Sequence, residues 1–78
     1  MTLEQLPTGQ RALIAEVQGE DGLRARMLAL GLRAGREVAV IRRANLGGPI
    51  QVRVGSTDLM MRRKEASLIQ LTVIETLR

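Results

Sequence analysis

Seventy-eight residues make one domain, 1–78, and a chain this short buries only about 60–65 per cent of its unfolded surface, which argues against a large internal active-site cavity. Neither cysteine nor histidine is present, so a disulfide framework, a thiolate zinc site, the usual general base at neutral pH and every histidine-dependent triad are excluded. The net charge of +4 is almost wholly arginine, with Lys64 the one lysine, and it points to an acidic partner; the lack of Phe, Tyr and Trp removes the stacking platforms of single-strand binders and the walls of proline-peptide grooves.

The opening "MTLEQLPTG" carries Glu4 and Pro7 in place of a basic region and an apolar block, which predicts a soluble, cytoplasmic chain with no direct membrane insertion. Leu6-Pro7-Thr8-Gly9 reads as a turn. "RALIAEV" (Arg11 to Val17) has the length and apolar density of a first strand, although its buried face is ambiguous. From Asp21 the spacing becomes helical, with Leu23, Met27 and Leu30 on one stripe, Asp21 placed as the N-cap and Gly31 as a left-handed stop. Arg33 to Gly35 form a turn, and "EVAVIRR" reads as a strand covered on both faces.

"NLGG" before Pro49 is a hairpin loop in which glycine supplies positive φ. "IQVRV" then alternates cleanly, with Ile50, Val52 and Val54 inward. Gly55 to Asp58 form the next turn, leading to "LMMRR" with Leu59 and Met61 inward and Met60 and Arg62 outward. Lys64 to Ala66 is a single helical turn, and "LIQLTVI" (Leu68 to Ile74) is the last strand, with Ile69, Leu71 and Val73 on the core side and "ETLR" as a tail. The pattern predicts a mainly β fold: an SH3-like small barrel of about five strands, one short helix inserted after the first strand and a helical turn before the last.

The ordered set Leu30-Gly31-Leu32, Gly35, Val38, then Leu46-Gly47-Gly48-Pro49-Ile50, then Arg62, Glu65-Ala66 and Ile69, with Leu3, Leu6 and Gly9 ahead of it, resembles the FeoA family across essentially the whole chain. One departure is Asn45, where the family often has proline; Asn tolerates the same turn. The resemblance implies a non-enzymatic accessory protein of bacterial ferrous iron uptake. Its implied partner is FeoB, a membrane ferrous iron transporter with a cytosolic G-protein domain, so the chain would reach the membrane through that partner. Similar domains end iron- and manganese-dependent repressors; Met1 and the lack of a helix-turn-helix lead to the expectation of a free-standing form.

Arg42, Arg43, Arg53, Arg62, Arg63 and Lys64 are read as a solvated basic face, with a dock for an acidic protein surface as the second reading and nucleic acid as the third. Glu4, Glu16, Glu20 and Asp21 are read as helix-terminal acids, and no iron site and no cofactor are expected. Met27 is assigned to the core. Leu28, Leu32, Leu46 and Met60 are hard to bury together and are expected to rim an apolar docking cleft between helix and barrel, unless helix and loop simply cover each other. Arg33 and Arg36, the arginines placed on an extended loop, are added as partner-binding residues, one of which could act as an arginine finger toward a G-protein. An RNA-binding small barrel of the translation apparatus is the alternative from another functional class.

Overall fold

The computed structural model describes residues 1–73. Five antiparallel strands form one sheet: β1 (Arg11–Val17), β2 (Glu37–Arg43), β3 (Ile50–Val54), β4 (Thr57–Met61) and β5 (Ile69–Val73), in the order β4-β3-β2-β1-β5. Helix α1 (Asp21–Ala29) follows β1, and the short α2 (Arg63–Ala66) links β4 to β5. The expected last residue of the final strand, Ile74, and the tail 75–78 lie outside the described residues.

One core fills the inside of the sheet. Ala12, Ile14, Val38, Val40, Ile50, Val52, Val54, Met61, Ile69 and Leu71 supply it from the strands, and Met27 from α1. Among the described residues no polar or charged residue is buried with them. Strand β3 follows the clean alternation read from its sequence, and Met60 points outward as expected, while Leu59 is only half-buried. Val73 differs from expectation: it stands at the end of an edge strand and is exposed.

Two bulges explain what alternation alone left ambiguous. The β1–β5 register shifts between Ile14 and Glu16, so the inward set runs Ala12, Ile14, then Val17. An extra residue flips the parity of everything after it. The same event between Val40 and Arg42 turns Arg43, not Arg42, toward the inside. Arg43 Nη2 donates to the carbonyl of Leu6, so this arginine is a latch for the N-terminal segment and does not belong to the basic outer face.

That segment is structural in a way periodicity did not reveal. Leu3–Gln5 form a 3₁₀ turn, closed by the Thr2 N–H donating to Gln5 Oε1 at 2.9 Å, and Leu3 and Leu6 are fully buried. Leu71 N–H donates to the carbonyl of Met1 at 2.8 Å and Gly9 N–H to that of Val40 at 3.0 Å. The segment therefore covers the open edge at β5 and then crosses to β2.

Helix α1 begins one residue earlier than predicted, with Glu20 as N-cap and no side-chain capping bond, so Asp21 lies inside the first turn. Its end is a Schellman motif. Gly31 has φ +94°, its N–H donates to Leu28 at 3.0 Å, and the Leu32 N–H reaches back to Met27 at 3.0 Å. The motif brings Leu32 onto Met27, and both are buried. Leu30, expected on the inner stripe, is the C-cap and is exposed, because the helix stops before it can turn that position inward.

A Cβ at Gly31 would meet nothing closer than 4.0 Å, so Gly31→Ala isolates the backbone penalty of a left-handed residue. The expected cost is about 1–2 kcal/mol, read as a drop of about 4–8 °C in melting temperature per kcal/mol. An unchanged melting curve would show that the helix does not depend on this stop.

Candidate functional site

Five of the eleven basic residues among the described ones stand beside an acid: Arg11, Arg24, Arg26, Arg53 and Arg63. Cross-strand pairing lines up Arg11, Ala39, Arg53 and Asp58 on the outer face of the sheet. Arg53 holds Asp58 through both carboxylate oxygens, at 2.6 and 3.0 Å, and Gln51 adds a third bond at 3.1 Å. The bond from Arg53 keeps the Asp58 carboxyl below its ordinary pKa range and raises that of Arg53. Arg11 meets Glu37 at 3.2 Å, Arg26 meets Glu65 at 2.8 Å, and Arg63 meets Glu4 at 3.6 Å. The shallow depression over this face, about 430 Å³ and lined by Arg11, Glu37, Ala39, Ile41 and Arg53, is therefore walled by charges already engaged with one another. Among the described residues, Arg33, Arg36, Arg42, Arg43, Arg62 and Lys64 make no ion pair, Arg43 being bonded to the Leu6 carbonyl instead.

Of the six positions expected to bind a partner, the fold brings three to one end of α1, two to the β2–β3 hairpin, and removes the sixth. Leu32 is the correction: as the residue after the helix stop it packs into the core and rims no cleft. The cue was available in the sequence, because an apolar residue directly after a stop glycine packs back on the last helical turn.

At the α1 end, a groove of about 220 Å³ runs between helix and barrel, lined by Ala15, Glu16, Val17, Arg24, Leu28 and Ala34. The bulge after Ile14 opens the β1 side of it. Gly35 N–H donates to the Ile14 carbonyl at 2.7 Å and the Ile14 N–H to that of Arg36 at 2.9 Å, which fastens the 33–36 loop along β1 at the groove's end. Leu28 remains about half exposed at 48 per cent within the groove, and Leu30 is exposed at the helix end. Arg33 is exposed, whereas Arg36 lies on Gly55, where an added Cβ would sit 2.6 Å from its Nη2. Arg24 and Glu16, absent from the expected set, give the groove one charge of each sign; the position of Glu16 follows from the bulge, which only strand pairing reveals.

At the hairpin end stand Leu46 and Met60. The loop is closed by Ala44 N–H donating to Pro49 at 3.0 Å and by Gly48 N–H donating to Asn45 at 3.2 Å. Leu46 and Gly47 take the central positions with φ +59° and +76°, the geometry of a type I′ turn. Leucine in the left-handed region costs about 1–2 kcal/mol relative to a residue that tolerates it, and Leu46 is also fully exposed. Met60 lies across β3 in the row Arg42–Gln51–Met60, beside a depression of about 230 Å³ that Arg42, Asn45 and Pro49 share. Among the described residues no group of three or more acidic side chains converges into a metal-binding cluster.

Comparison with known proteins follows the same outline. The family model for the FeoA domain matches residues 1–73. A curated relative from Porphyromonas gingivalis, described as an Fe(2+) transport protein A/Fe(2+) transporter FeoB fusion protein, is 32% identical over 76 residues; the match covers 97% of this chain but only 9% of that protein. The solution structure of FeoA protein from Chlorobium tepidum superposes with a TM-score of 0.89 at 39% identity, covering 96% of this chain and 71% of that one. The Stenotrophomonas maltophilia FeoA crystal structure, complexed with zinc and described as a prokaryotic SH3 domain protein, gives a TM-score of 0.82 at 32% identity, covering 92% and 89%. The barrel is thus SH3-like in the sense of these neighbours.

Proposed function

Because the chain belongs to the FeoA domain family, we propose that it is a non-enzymatic, cytoplasmic accessory of ferrous iron uptake that docks on the cytosolic G-protein region of a FeoB-type transporter. The fused relative supports the partner, since fusion keeps two domains at high effective concentration. Among the described residues no helix is long and apolar enough to cross a membrane, in keeping with a partner that supplies the span.

The observation that carries the docking reading is the groove at α1: an exposed leucine, Leu28, lined by small residues and flanked by Arg24 and Glu16. An apolar anchor with a charged rim is the usual anatomy of a protein interface. Arg33 is the arginine free to cross such an interface toward a bound nucleotide; Arg36 is held against Gly55. An RNA binder of this size would be expected to stack bases on aromatic side chains, of which the sequence has none, and Arg11 and Arg53 on the sheet face are already paired with acids.

Leu28→Asp tests the reading. With the purified chain titrated against the cytosolic region of a FeoB-type transporter, the variant is expected to keep the parent melting temperature and to bind about 30-fold more weakly, a hot-spot loss of about 2 kcal/mol. Full affinity in a folded Leu28→Asp protein would remove the groove as the dock.

A further inference from the structure

We propose that the tip of the β2–β3 hairpin is a contact for an anionic bilayer surface, with Leu46 entering the headgroup layer while Arg42, Arg62 and Lys64 lie against lipid phosphates. The starting observation is a local conflict. A type I′ turn asks for Asn or Gly at its first central position, and this chain puts leucine there, at φ +59° and fully exposed. Strained apolar residues without a covering neighbour are places where function has overridden local preference.

The charge around the loop is unbalanced in one sense. Arg63 Nη2 donates to the Ala44 carbonyl at 3.5 Å, and a Cβ on Gly47 would lie 3.9 Å from Arg63 Nε, so α2 begins beneath the loop. Arg62 and Lys64 flank Arg63 in sequence and are both exposed, and the pairing of Arg43 with Ile50 and of Ile50 with Met61 sets Arg42 at the same end of the barrel. None of the three has an acidic partner, and the acids closest to α2 are engaged: Glu4 with Arg63, Glu65 with Arg26.

Shape decides between a protein socket and a lipid surface. A specific protein interface needs about 800 Å² from each side, with complementary relief. Here the main projection is one fully exposed leucine on a tight turn, and the depression beside it, about 230 Å³ between Arg42, Asn45, Pro49 and Met60, is small and shallow against the relief such an interface needs. A fluid anionic surface needs no matching shape: it takes the leucine and responds to summed charge, about fivefold in affinity per basic residue held near it. Contact of this kind is weak and reversible, and it involves no membrane span. It stands on the loop alone, whatever the groove at α1 binds.

The experiment is co-sedimentation of the full chain with phosphatidylcholine vesicles and with vesicles that also contain phosphatidylglycerol. Binding is expected only to the anionic vesicles and is expected to vanish at high salt. Leu46→Asn, which the turn accepts, should fold at least as well as the parent and bind about tenfold more weakly. The double variant Arg62→Ala/Lys64→Ala should lose about 25-fold. No binding to anionic vesicles would overturn the proposal, as would parental binding by folded Leu46→Asn. If the parent ignores vesicles while Leu46→Asn loses affinity for the cytosolic region of a FeoB-type transporter, Leu46 fills a protein socket and the bilayer contact is refuted.

Discussion

Val52→Asp is expected to yield no folded protein. Val52 is fully buried at the middle of β3, paired to Val40 on one side and Leu59 on the other, and among the described residues the core around it contains no polar group. A carboxylate there has no cation and no donor, and the uncompensated burial costs several kcal/mol in effect. The whole domain, at about 0.05–0.15 kcal/mol per residue, has roughly 4–12 kcal/mol to lose. Circular dichroism and amide dispersion should both report an unfolded chain. The neighbouring change Arg53→Ala supplies the contrast, since Arg53 faces solvent beside Asp58: it should leave a folded protein whose melting temperature moves little. Cooperative unfolding of Val52→Asp at a parental temperature would mean that the two faces of β3 are exchanged.

The second large effect separates two leucines that look alike in sequence. Leu32→Ala removes a fully buried side chain from the Met27 contact beyond the helix stop and should cost about 2–5 kcal/mol, lowering the melting temperature by more than about 10 °C. Leu46→Ala removes nothing that is packed and should melt within a few degrees of the parent. Scanning calorimetry of the pair checks both. Equal melting temperatures would dissolve the distinction between a core leucine and a displayed one.

What sequence could and could not convey follows from the range of the interactions involved. Strand β3 was legible because an unbroken ladder preserves the period of two from Ile50 to Val54. The bulges in β1 and β2 leave no mark in composition, so the inward side of Val17 and the latch role of Arg43 had to await the pairing partners. Leu3 sits in a 3₁₀ turn too short to show a period and Leu6 directly after it, and their burial depends on β5 and β2, far along the chain. The candidate site was legible as a set of apolar residues in excess of what the core needed. Its division into an α1 groove with Leu28 and a hairpin tip with Leu46 and Met60 was not, because the sheet order decides which end of the barrel each loop occupies.

The same sheet order governs how the molecule comes into being. Strand β1, the first to be made, lies between β2 and β5, and its pairing of Ala12 with Val73 joins nearly the two ends of the described chain. The β2–β3–β4 meander closes through short loops, but the ladder on the other side of β1 needs β5, more than fifty residues further along the chain. Until β5 pairs, β1 keeps an open edge, and the N-terminal segment has no Leu71 to hold the Met1 carbonyl. Contacts so distant in sequence give a high contact order for a chain of this size, which is expected to set refolding in the millisecond-to-second range.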